Sequence, residues 1–90
     1  MFDLTPEPYA SFYRLNPVIL DALIRWGQEA GYLGDFLTAV LENNLMEAVG
    51  RADDINREHL HTICMFVHNE LPANCHGSPA KVLAWKKLHA

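Results

Sequence analysis

Apolar positions recur along this chain at helical intervals, and no stretch alternates over the length of a strand. Behind Asn16-Pro17, an N-cap residue followed by proline at the first turn, Val18, Leu20, Ala22, Leu23, Ile24 and Trp26 make a broad apolar face. Gly27 weakens that pattern and Gly31 is its natural terminator. A second segment opens at Gly34-Asp35, with Asp35 as the expected cap. It carries Phe36, Leu37, Val40, Leu41, Leu45, Ala48, Val49 and Ala52 at helical spacing. Asn43-Asn44 is poor helix interior, so the spacing predicts two short helices joined there. In the third segment Ile55, Leu60, Ile63, Cys64, Val67 and Leu71 line one side of a helix that Pro72 stops. Ser78-Pro79 starts the last helix, with Val82, Leu83, Trp85 and Leu88 apolar and Lys81, Lys86 and Lys87 basic. The predicted fold is all-α: a compact orthogonal bundle of four to five short helices.

Residues 1–15 form an arm punctuated by Pro6 and Pro8 and carrying Tyr9, Phe12 and Tyr13; residues 16–90 form a single helical domain. An arm this aromatic either packs over its own domain or docks on a neighbouring subunit, and the sequence leaves both open. Half of the 90 residues are apolar, enough for a core. No apolar run approaches the roughly 20 residues that cross a bilayer, and the first residues lack a signal-peptide layout. A cytoplasmic protein with no membrane contact is expected, its Cys64 and Cys75 as thiols. The net charge of −4 disfavours a nucleic-acid polymer as partner, but not a small phosphate held in a local pocket.

Few constellations carry chemistry. Cys64 and His68 lie four apart on one helical face, and Cys75-His76 would complete four ligands. Adjacent ligands rarely converge on one ion, so neither a metal nor another cofactor is expected. Sequence adjacency does not make Cys75 and His76 face each other as nucleophile and base, Ser78 is occupied by capping, and no phosphate-loop, dinucleotide or zincin motif is present. No enzyme is expected. Two spots suit an anion. One is the Gly77-Ser78 helix start with Lys81 one turn in. The other is the corner holding Arg51, Asp53 and Asn56, where a guanidinium can grip a phosphate while Asn56 or Asp53 reads a base or sugar. Each has a plainer reading: a well-capped helix, and an Arg51 paired with Asp53 or Asp54. Tyr9 and Tyr13 either stack on a nucleobase or pack in the fold.

The run Gly34-Asp35-Phe36-Leu37-Thr38-Ala39-Val40-Leu41-Glu42-Asn43-Asn44-Leu45-Met46-Glu47-Ala48-Val49-Gly50-Arg51-Ala52-Asp53, followed by Asn56, resembles a family of small phage and prophage proteins. Asn69-Glu70-Leu71-Pro72, Cys75-His76-Gly77-Ser78-Pro79 and Val82-Leu83-Ala84-Trp85 fit the same family, over residues 16–86. His76 stands where that family is associated with a tryptophan. The resemblance implies a bacterial host cytoplasm and a small accessory protein that counters host defence. The expectation is a homo-oligomer that sequesters a nucleotide-type immune signal without turning it over. The ligand-binding residues would be Arg51, Asp53, Asn56, Gly77, Ser78 and Lys81, with Tyr9 or Tyr13 from the arm. The alternative is direct binding of a host defence protein through the acidic residues Glu42, Glu47, Asp53, Asp54 and Glu58.

Overall fold

Proline fixes φ for a first helical turn, and asparagine offers a side-chain acceptor to the orphan N–H groups there. In the computed structural model, which describes Tyr9 and residues 12–90, Asn16 Oδ1 accepts the Val18 N–H at 2.8 Å and α1 runs Pro17–Glu29. The helix ends one residue earlier than its glycine suggests. Ala30, not Gly31, takes the left-handed position at φ 52°, while the Gly31 N–H reaches back to the Arg25 carbonyl. Gly31 serves close approach instead: a Cβ there would lie 3.2 Å from Arg25 Cβ.

The next two helices are α2, Asp35–Leu41, and α3, Leu45–Arg51. The break falls at Asn43-Asn44, where Asn43 sits at φ 62° and Asn44 caps α3 by accepting the Glu47 N–H. Gly34 occupies the cap position of α2 in place of Asp35, its carbonyl taken by the Thr38 hydroxyl and the Thr38 N–H. The third segment is two helices where one was expected: α4, Asp54–Glu58, and α5, Leu60–Glu70, meeting at His59. A short 3-10 turn, Ala73–Cys75, leads to α6, Pro79–Leu88. With no strand among the described residues, the fold is an all-α small helical bundle. None of these helices is long and apolar enough to cross a membrane.

The deepest side chains are Leu20, Leu23 and Trp26 from α1, Leu41 from α2, Ile63 and Phe66 from α5, Cys75 from the turn and Val82 from α6. Three directed bonds pin the later elements onto this core. The Trp26 indole N–H donates to the Cys75 carbonyl at 2.9 Å, and the Trp85 indole N–H donates to the Trp26 carbonyl at 2.7 Å. The Gly77 N–H donates to the Leu41 carbonyl, 2.7 Å away at the end of α2. Buried N–H and C=O groups need partners, so these bonds fix the register of the 3-10 turn against α1 and α2.

Tyr9, Tyr13 and Leu15 of the arm pack on their own chain, while Phe12 stays exposed. Tyr9 and Tyr13 stand edge-on to Phe66, with ring centres 5.6 and 5.3 Å away. The Tyr13 hydroxyl donates to Glu70 Oε2 at 2.7 Å. Pro6 and Pro8 lie outside the described residues.

Candidate functional site

The turn that follows α5 brings separate parts of the sequence to one cavity of about 470 Å³. Its walls are apolar where Val40 of α2, Val67 of α5 and Leu71 just beyond α5 line it. Its polar groups are Asn43, Cys64 and His68, with His76, Gly77 and Lys81 from the loop and the first turn of α6. Among the described residues, no carboxylate lines it.

Local sequence explains how the cationic side is presented. Gly77 adopts φ 117°, a region closed to most side chains, while its N–H stays bonded to α2. Ser78 then caps α6, its Oγ accepting the Lys81 N–H at 3.2 Å. The Ser78 hydroxyl is thereby engaged in capping, and it is the adjacent Gly77 and the Lys81 side chain that reach the cavity. Among the described residues Lys81 has no ion-pair partner.

His76 gives the site its second character. Its Nε2 is buried and, among the described residues, lacks a hydrogen-bond partner. Burial lowers the pKa of the ring below that of an ordinary histidine, and the charges of Lys81 and His68 push the same way against an opposing contact with the Leu71 backbone. The imidazole is therefore neutral at pH 7. Burial also raises the Cys64 thiol, and it pushes Cys75 up to about 11. Cys75 is fully enclosed and stays a protonated thiol at neutral pH, which is no nucleophile. Among the described residues, no group of three or more His, Cys, Asp and Glu side chains is placed to hold a metal ion.

The other anion-compatible spot lies elsewhere. Arg51 Nη1 contacts Asp35 Oδ2 at 3.0 Å and Arg51 Nε lies 3.6 Å from Glu47 Oε1. The pairing is with these two acids, not with Asp53 or Asp54 as one reading of the sequence had it. A shallow cavity of about 200 Å³ surrounds the guanidinium and also carries Glu42. Three carboxylates against one guanidinium repel a phosphate. Arg51 is anchored at the start of α2 and Gly77 at its end, about 9 Å apart by helical rise. Asp53 caps α4, its Oδ1 accepting the Asn56 N–H at 2.7 Å, and neither residue lines either cavity. Tyr13 is buried and its hydroxyl engaged, while Tyr9 is half-buried against Phe66; neither lines the larger cavity. Of the expected ligand residues, Gly77 and Lys81 line the larger cavity, Ser78 lies between them as the cap of α6, and Arg51, Asp53, Asn56, Tyr9 and Tyr13 are not among its lining.

Val40 and Asn43 read in the sequence only as a helical face and a helix break, and nothing local marks them as cavity residues. Cys64 and His68 carried a signal, their shared helical face, which pointed to a metal rather than to a cavity wall. One prediction arises here. Arg51→Ala is expected to change stability by less than about 1 kcal/mol, because its pairs are half exposed and screened. Urea denaturation followed by circular dichroism checks this, and a larger loss would mean that the guanidinium holds the α2–α3 corner.

The chain matches no family model, no curated protein and no solved structure.

Proposed function

We propose that this protein is a non-catalytic binder that sequesters a small phosphate-bearing molecule of nucleotide type in the cavity between α2, α5 and the start of α6. The observation that carries this reading is a cavity that, among the described residues, is lined by no carboxylate and bears a lysine with no ion-pair partner, in a chain whose net charge is −4. Lys81 supplies the cation. Gly77 lets the loop backbone come close to the ligand, and Asn43 and His68 offer polar edges to a base or sugar. Val40, Val67 and Leu71 give a flat ring an apolar wall, the usual division of labour in a small-molecule site. Burial keeps Cys64 a protonated thiol, which offers no nucleophile to a bound molecule. In the phage setting that the sequence resemblance implies, the ligand would be a nucleotide immune signal and its removal an anti-defence activity.

Native mass spectrometry of the freshly purified protein, with calorimetric titration of mono- and dinucleotides, tests the reading. A phosphate-bearing ligand is expected to bind, and Lys81→Ala to weaken it about tenfold to a hundredfold, the worth of one charge-assisted hydrogen bond. Arg51→Ala is expected to leave the dissociation constant within about twofold, since it lies outside the cavity. Unchanged affinity in Lys81→Ala removes the cavity from the reading.

A further inference from the structure

Two helical faces stay uncovered although the sequence spaces part of them as core. On α3 Ala48 is buried, but Leu45, Met46 and Val49 are exposed to 60, 82 and 44%. The neighbouring α4 buries nothing, and its Ile55 is 55% exposed. Single exposed apolar residues are ordinary, whereas Leu45, Met46 and Val49 share one side of α3 by helical spacing, and Ile55 adds a fourth exposed apolar side chain on the next helix. Its exposed acids are Asp53, Asp54 and Glu58, at the start and along α4, with Arg57 already paired with Asp54; Glu47 and Arg51 lie on the other side of α3, where they meet Asp35.

The opposite composition appears on α6. Val82 and Trp85 face the core, leaving Leu83 and Leu88 exposed to 54 and 69%. Every charged residue of this helix is a lysine, and among the described residues none is ion-paired.

We propose that the α3–α4 face of one molecule docks on the outer face of α6 of a second copy. Apolar contact between Leu45, Met46, Val49 and Ile55 on one side and Leu83 and Leu88 on the other supplies the driving force. The acids against Lys86 and Lys87 set orientation and association rate. Charge complementarity selects the occupant: the chain carries both an acidic apolar face and a basic apolar face, each exposed. The pairing is independent of the ligand cavity, and Lys81 takes no part in its test.

Sedimentation velocity of the full chain, alone and as the variants Met46→Lys and Leu83→Glu, decides the matter. Both positions are exposed, so neither change disturbs the core, and helical circular dichroism verifies this. The unaltered chain is expected to self-associate at about 0.1 mM, within reach of a modest interface. Each variant sets like charges against each other and is expected to associate about a hundredfold more weakly. An equimolar mixture of the two variants is expected to associate again, because each still carries one unaltered face that fits the other. A single-chain species in the unaltered protein overturns the proposal. So does undiminished association in either variant, or a mixture that stays dissociated.

Discussion

Trp26→Ala is expected to leave the chain close to half unfolded, or worse, under conditions where the unaltered protein is folded. Trp26 has no exposed surface and sits where α1 meets the 3-10 turn and α6. Truncating a fully buried tryptophan costs about 3–5 kcal/mol in transfer and cavity terms. The Cys75 carbonyl also loses its donor, and an orphaned buried acceptor costs about 1–3 kcal/mol more. Small domains hold roughly 5–15 kcal/mol in total, so the combined loss consumes most of it. Urea titration monitored by far-ultraviolet circular dichroism measures the change. A loss below about 2 kcal/mol would show that the core closes over the missing ring. Trp26→Phe is the milder variant, keeping one aromatic ring in the core while removing the N–H and the rest of the indole. It is expected to cost about 1–3 kcal/mol and to speed amide exchange at Gly77, because the turn leading to the cavity loses one of its pins.

The second large effect is expected at Phe66. Its ring is fully buried in α5 and receives Tyr9 and Tyr13 edge-on, so Phe66→Ala removes a core side chain and both aromatic contacts. The expected cost is about 3–5 kcal/mol, of which each ring pair accounts for about 0.5–1.5 kcal/mol. Tyr13→Phe is the control. It keeps the ring and removes the hydroxyl's bonds to Glu70 and from Asn69, for a cost of about 1.5–3 kcal/mol or less, both bonds being partly buried. Chymotrypsin cleavage in the arm gives a readout beyond stability. Phe66→Ala is expected to accelerate cleavage at Tyr13 under native conditions much more than Tyr13→Phe accelerates cleavage at the same site. Equal rates would show that the hydroxyl bond, not the aromatic stack, holds the arm down.

Much of the helical layout was legible because its signals are local. Asn16-Pro17, Asn43-Asn44, Pro72 and Ser78-Pro79 each act within one turn of chain, by fixing φ, removing a donor or supplying an acceptor, and each marks a boundary in the structure. The errors arose where two local solutions compete. Gly34 and Asp35 both suit the start of α2, and Thr38 decides for the former by bonding to its carbonyl. His59 breaks a continuous apolar periodicity without any proline or glycine to announce it. Periodicity also overstated burial: Leu45, Val49 and Ile55 repeat as core residues do, yet stand exposed. Spacing says which residues share a face of a helix and nothing about what that face meets.

The candidate site was less legible, for a related reason. The sequence identified charged and capping groups correctly as chemical types, but charge alone does not tell which partner each will find. Arg51 found Asp35, sixteen residues away, and Glu47 on its own helix. Asp53 and Ser78 each turned inward to cap their own helix.

The order of amino acids by itself set the all-α class, the helix starts at Asn16, Asn44 and Ser78 and the thiol state expected of Cys64 and Cys75, since these follow from bonds within a few residues or from composition. Only the tertiary structure decided that Lys81 and Gly77 share a cavity with His68 and His76 while Arg51 is neutralised elsewhere. Those groups come from distant segments, and their meeting depends on the bonds from Trp26 to Cys75 and from Gly77 to Leu41, which no local pattern encodes.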